Sequence, residues 1–100
     1  MKTEFLDEAR QEFLQALSFQ EDQQAGLGQR FKDEVDRNVL WIASHPDVLR
    51  VRPGGYRRMN LRIFPYYIAY IIRGDTIWVL AVAHGHRKPD YWVHRKTQVP

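Results

Sequence analysis

Apolar side chains recur at every third or fourth position in the first part of the chain and at every second position in the last part, so helices should precede strands. Ala9, Phe13, Ala16 and Leu17 line one side of a helical wheel, with Glu8, Arg10, Gln11, Glu12 and Gln15 on the other. That spacing predicts an amphipathic helix from residue 8 to about 23, with Asp7 as its cap. Leu27, Phe31, Val35, Val39 and Ile42 form a second stripe in steps of three or four. Gly26 and Gly28 around Leu27 mark the break between two antiparallel helices. His45-Pro46 closes the second, because the residue before a proline is pushed out of the α region. Ahead of both, Lys2 to Leu6 is too short for periodicity to separate an edge strand from a helical turn, and is read as a strand.

After Pro46 the pattern is that of a sheet. Leu49 to Arg52 reads as a short strand and Pro53-Gly54-Gly55 as a turn. Tyr56 to Ile63 reads as a strand alternating Arg58, Asn60 and Arg62 with Arg57, Met59, Leu61 and Ile63. Tyr66 to Arg73 and Thr76 to Ala83 are apolar on both faces and joined by Gly74-Asp75, a two-residue hairpin loop. That loop sets Ile72 opposite Ile77, Ile71 opposite Trp78 and Tyr70 opposite Val79. The hairpin must therefore be central. With helices covering one face, the other is left as a groove, a partner surface or the docking place of the C-terminal turn. The class is α+β, a helical hairpin packed on a small antiparallel sheet, in one domain spanning residues 1–100.

Composition adds exclusions. A chain of 100 residues, 44% apolar, supports one core that buries about 60–70% of the unfolded surface. No apolar run reaches the roughly 18–20 residues that span a bilayer, and Met1-Lys2-Thr3-Glu4 opens no signal or transit segment, so the expected address is the cytoplasm. Without cysteine there is no disulfide, thiolate zinc site or thiol nucleophile. Charge is divided unevenly: residues 1–47 carry ten Asp/Glu against five Lys/Arg, and residues 48–100 carry two against ten. Either the two halves attract each other during folding, or the basic half meets a polyanion or an acidic protein.

Candidate chemistry gathers where the last strand runs into His84-Gly85-His86-Arg87-Lys88-Pro89-Asp90-Tyr91-Trp92. Unbroken alternation puts His84 on the face of Val82, Leu80, Trp78 and Tyr67. With Arg58, Asn60 and Arg62 on the same face, the groove gains a basic wall, an imidazole and a phenol. Arginine could grip phosphate there while histidine exchanges protons, as metal-free cleavage of RNA by its own 2′-hydroxyl requires. A hydrogen-bonded histidine at a strand end is the alternative for His84. Pro89 and Asp90 suit the first turn of a helix, whose free amides would lie near Arg87. His84 and His86 lack a carboxylate pair or cysteine to complete a metal shell, so no metal or other cofactor is expected. Tyr70 and Trp92 are assigned to packing, Tyr67 and Tyr91 to the groove.

Several of these residues together resemble the RelE/ParE superfamily of toxins from bacterial type II toxin–antitoxin modules, which includes proteins described as plasmid stabilisation factors. The resemblance rests on Gly26-Leu27-Gly28 with Phe31, His45-Pro46, Arg57-Arg58 leading to Phe64-Pro65-Tyr66, Tyr70, and Ala81-Val82-Ala83-His84-Gly85-His86-Arg87 with Pro89. It implies a short first strand, a helical hairpin, a three-stranded meander and a C-terminal segment packed on the sheet. It also implies growth inhibition relieved by a cognate antitoxin, commonly in an oligomer. RelE-type members cleave mRNA on the ribosome with an arginine after the last strand and a tyrosine or histidine near the C-terminus, and for that activity His84, Arg87 and Tyr91 are the expected catalytic residues. ParE-type members act on DNA gyrase without a known catalytic set. Arg58, Arg62 and Arg87 fall at places that match the family's basic residues, and Arg57, Arg58, Arg62, Tyr67, His86, Arg87 and Lys88 are the residues expected to contact either target. Asn60 and Tyr67 stand where RelE-type enzymes place basic groups, which tilts the expectation toward gyrase.

Overall fold

The computed structural model describes residues 1–88 and 91–100. Two helices, α1 (Asp7–Gln23) and α2 (Leu27–Ser44), form an antiparallel hairpin. Asp7 is the first residue of α1 and not its cap. Leu6 holds the cap position in extended backbone, and no side chain caps it. The turn between the helices needs Gly26, whose φ of 93° is left-handed. Glu21 reaches across from α1 and accepts the amides of Gly26 and Gly28, at 3.1 and 3.0 Å. One carboxylate thus satisfies two donors that the start of a helix leaves free.

Four strands follow the expected class with one addition. They are β1 (Lys2–Phe5), β2 (Arg57–Asn60), β3 (Tyr66–Arg73) and β4 (Thr76–His84), in the spatial order β1-β4-β3-β2. β2, β3 and β4 form the expected antiparallel meander, and because β1 lies parallel to β4 the sheet as a whole is mixed. Leu49 to Arg52 is not a strand: among the described residues its only pairing is an isolated bridge between Arg52 and Tyr56. β2 also stops at Asn60, short of Ile63. The reason is Glu34, a buried carboxylate of α2 that accepts the amides of Arg62 at 2.5 Å and Ile63 at 3.2 Å and bends the chain away from the ladder.

The β3–β4 hairpin pairs as its loop dictates, Ile72 with Ile77, Ile71 with Trp78 and Tyr70 with Val79, and then shifts. Ala69 pairs with Ala81, so β4 carries Leu80 as an extra residue. From there on, side chains of β4 face opposite to what unbroken alternation gives. His84 pairs with Tyr66 and Ala83 with Tyr67, so His84 and Tyr67 lie on opposite faces.

The helices cover the Tyr66 face, where Phe31 stacks on Phe13 and meets Phe64 and Tyr66 edge-on at 5.2 Å. The C-terminal segment covers the Tyr67 face. Trp92 is fully buried there, edge-on to Tyr56 at 4.6 Å and donating its indole N–H to Tyr67 Oη at 2.7 Å. A 3-10 helix, Val93–Gln98, completes the segment. The helix start expected at Pro89-Asp90 lies outside the described residues.

Candidate functional site

β1 pairs with β4 only as far as Val79, whose carbonyl takes the amide of Leu6 at 3.1 Å. Beyond it, β4 has no strand on that edge among the described residues, and a buried edge cannot leave its polar groups empty. Glu12 of α1 accepts the Val82 amide at 3.1 Å, and Arg95 donates to the Leu80 carbonyl at 3.0 Å. The two side chains also form a two-pronged pair with each other, Nη1–Oε1 at 3.0 Å and Nη2–Oε2 at 3.1 Å. Arg95 Nε lies 3.3 Å from Glu8 Oε2, an ionic contact without hydrogen-bond angles. Burial opposes the charge on Arg95, but the hydrogen bonds and charge of Glu12, then the charge of Glu8, outweigh it and raise the guanidinium pKa.

Between this edge and α1 opens a cleft of about 430 Å³ lined by Gln15, Phe19, Tyr66, His84, Arg87 and Tyr91, among others. His84 is half-buried, edge-on to Tyr66 at 5.3 Å and beside the ring of His86 at 5.1 Å. Its Nδ1 accepts the His86 amide at 3.3 Å, which assigns the proton of the neutral ring to Nε2. The Arg87 guanidinium lies 4.3 Å over Tyr91, whose hydroxyl donates to Glu12 Oε2 at 3.3 Å. Burial, followed by the negative charge of Glu12, pushes the Tyr91 phenol up to about 12. At neutral pH it is a committed donor and no base.

The other candidate residues lie elsewhere. Arg58 covers the Tyr67 ring at 3.8 Å, on the face away from the helices, and its Nε donates to Asn60 at 2.7 Å. Tyr67 is fully buried and presents no surface to a partner: its hydroxyl takes the Trp92 proton and donates to the Arg87 carbonyl at 3.3 Å. Arg57 donates to the Leu49 carbonyl at 2.6 Å and holds the preceding loop. Arg62 leaves β2 on the α2 side and lines a different cleft. The expected basic wall is therefore divided: Arg58 and His84 lie on opposite faces of the sheet, the Arg87 guanidinium turns to Tyr91 in the His84 cleft, and Arg62 lines a cleft at the opposite edge. His86, whose ring lies beside that of His84, and Lys88 are both exposed. His84 and His86 gain no third metal-ligating neighbour among the described residues.

Glu12, Glu34 and Arg95 shape these sites, and none stands out as charge alone. Position 12, assigned above to the polar side of the wheel, lies three residues after Ala9 and four before Ala16, at the border of the apolar stripe, and position 34 follows Phe31 by three. A charge that interrupts a buried stripe is the signal that would have found both.

The family model described as "ParE toxin of type II toxin-antitoxin system, parDE" matches residues 3–89. This chain belongs to the ParE toxin family. An antitoxin partner is implied by that membership. A chain of the chromosomal ParDE toxin–antitoxin system from P. aeruginosa has the same fold, with a TM-score of 0.62 at 15% identity, over 84% of this chain and 95% of that one. No curated protein matches the sequence. No helix among the described residues of this ParE-family chain is long and apolar enough to cross a membrane.

Proposed function

We propose that this ParE-family toxin acts by binding DNA gyrase, not by cutting RNA, and that its cognate antitoxin neutralises it. The observation that carries the reading is the bond from Tyr91 to Glu12, with the phenol pushed up to about 12. Proton transfer at neutral pH needs a group whose pKa lies near the working pH, and this phenol is far from it. The arginines that would neutralise a cleaving phosphodiester do not converge either. Arg58 is held by Tyr67 and Asn60, and Arg62 borders a separate cleft. Electrostatic stabilisation requires several donors aimed at one oxyanion, which this separation denies.

A binding toxin needs none of that convergence. It needs an accessible basic surface, and the end of β4 with His84, His86, Arg87 and Lys88 supplies one beside an open cleft. The test places purified protein with gyrase and supercoiled DNA, and separately with ribosomes and mRNA. Inhibited supercoiling or trapped cleaved DNA, with intact mRNA, is expected. Ribosome-stimulated cleavage abolished by Arg87→Ala or His84→Ala would refute the proposal.

A further inference from the structure

The face of the sheet turned away from the helices carries cations of its own. Arg52 bridges to Tyr56, so their side chains leave on one side, and the Tyr56 ring packs edge-on to Trp92. On the same face Arg58 lies over the Tyr67 ring and commits only Nε, to Asn60. Lys96, from the 3-10 helix, donates to the Gly54 carbonyl in the turn between Arg52 and Tyr56. Three segments thus bring three cations over one buried aromatic layer of Tyr56, Tyr67 and Trp92. Among the described residues, none of the three has a carboxylate partner. Glu8 and Glu12, the acids that reach the C-terminal segment, meet it beside β4, whereas Arg58 stands on β2, the strand at the sheet's other edge.

We infer that this face binds the phosphate backbone of duplex DNA without regard to sequence, so that the toxin grips the DNA that gyrase carries as well as gyrase itself. The second clause rests on the gyrase reading; the first does not. Residues 48–100 hold ten Lys/Arg against two Asp/Glu, a field of one sign that draws a polyanion. The aromatic rings beneath the cations are at most 5% exposed. No ring is therefore left for an unpaired base to stack on, which removes the main reward for a single strand or an RNA loop. The exposed large apolar side chains lie at the N-terminus, on the helices, in the loop after α2 and beside Arg62. Val51, the nearest of them in sequence, lines a separate hollow against Ile71 and Ile72. An acidic protein would find charge on this face without an apolar anchor. Phosphate contacts need neither rings nor anchors.

The probe is a labelled duplex of about 20 base pairs and arbitrary sequence, titrated with the full-length protein in the absence of gyrase and read by anisotropy at several salt concentrations. Each phosphate neutralised adds about 0.9 to the slope of log affinity against log salt, so three contacts predict a loss of about fortyfold between about 50 and 200 mM. Arg52→Gln, Arg58→Gln and Lys96→Gln should each lower that slope by about one, and Arg10→Gln on α1 should leave it unchanged. The Arg52 side chain ties down nothing among the described residues, so its variant reports the contact even where loss of the Tyr67 or Gly54 contact softens the other two.

No binding, binding indifferent to salt, or an unaltered slope in Arg52→Gln would overturn the inference. Tighter binding of a single strand of the same length would overturn it in favour of base contacts. Supercoiling inhibited by a protein that does not bind the duplex would leave the gyrase reading standing alone. Duplex binding with the expected slope, and supercoiling untouched, would leave the DNA face standing and refute the gyrase reading.

Discussion

Glu12 is the residue on which most of the C-terminal architecture converges. Its two oxygens receive the Val82 amide, the Tyr91 hydroxyl and both terminal nitrogens of Arg95. Arg95 is 5% exposed, so removing its partner strands a cation in the protein interior. Breaking a buried pair from one side costs roughly 3–5 kcal/mol, whereas replacing both members by apolar groups is often close to neutral. Glu12→Ala should therefore lower unfolding free energy by about 3 kcal/mol or more, measured from urea midpoints. The double change Glu12→Leu with Arg95→Met should recover part of that loss but not all. The Val82 amide and the Leu80 carbonyl would still lack partners, at about 1–3 kcal/mol for each buried group left unsatisfied. A double variant as stable as wild type would show that water reaches this edge of β4.

At the scale of elements, the helical hairpin rests on two glycines with different tasks. Gly26 has left-handed backbone and open space around it, so an added Cβ meets nothing and only the dihedral is strained. Gly28 has ordinary helical backbone, but a Cβ there would lie 2.9 Å from Glu21 Oε1 and 3.1 Å from the Leu17 carbonyl. Gly26→Ala should cost about 1–2 kcal/mol, and Gly26→Asn much less, because asparagine tolerates the left-handed region. Gly28→Ala gains about 1 kcal/mol of helix propensity but must push α1 and α2 apart, and overpacking of about 1–3 kcal/mol makes it a net loss. Asparagine at position 28 should be worse still, and denaturant melts of the four variants separate the two tasks. The sequence reading gives the first strand, both helices and the hairpin loop, because stripes, glycines and a two-residue turn are local signals. The bulge at Leu80 carries no such signal: leucine fits either register, and the choice is made by what packs on each face. That one residue moves His84 away from Tyr67 and divides the site. The shortening of β2 is hidden for a similar reason, since Glu34 and the Arg62 amide are 28 residues apart.

For the whole molecule, the division between an acidic first half and a basic second half is only lightly used in folding. Among the described residues, the ion pairs that cross it both end on Arg95, from Glu8 and Glu12. Among the described residues Arg37, Arg62 and Arg87 have no acidic partner, and stability falls to apolar packing and to phenols wholly or partly buried in it. Tyr67, Tyr70 and Tyr91 are all raised above the ordinary tyrosine value of 10.0, each first by burial. Trp92 and Arg58 partly offset that for Tyr67, as Arg57 does for Tyr70. The sign follows from linkage. A folded state that holds a proton more tightly than the unfolded chain keeps its full stability below the unfolded pKa, then loses it as pH rises toward the folded one. Stability should accordingly be flat with respect to these groups up to about pH 9, then fall from about pH 10 as the unfolded chain ionises. Absorbance at 295 nm should show Tyr91 resisting ionisation until the fold opens, near its value of about 12. Tyr91→Phe, with no phenol to ionise, should lose less stability than wild type between pH 10 and 12. It should be the weaker protein at pH 7, because Glu12 forfeits one of its donors. Parallel alkaline curves for the two proteins would mean that the Tyr91 hydroxyl faces water and that its bond to Glu12 does not form in solution.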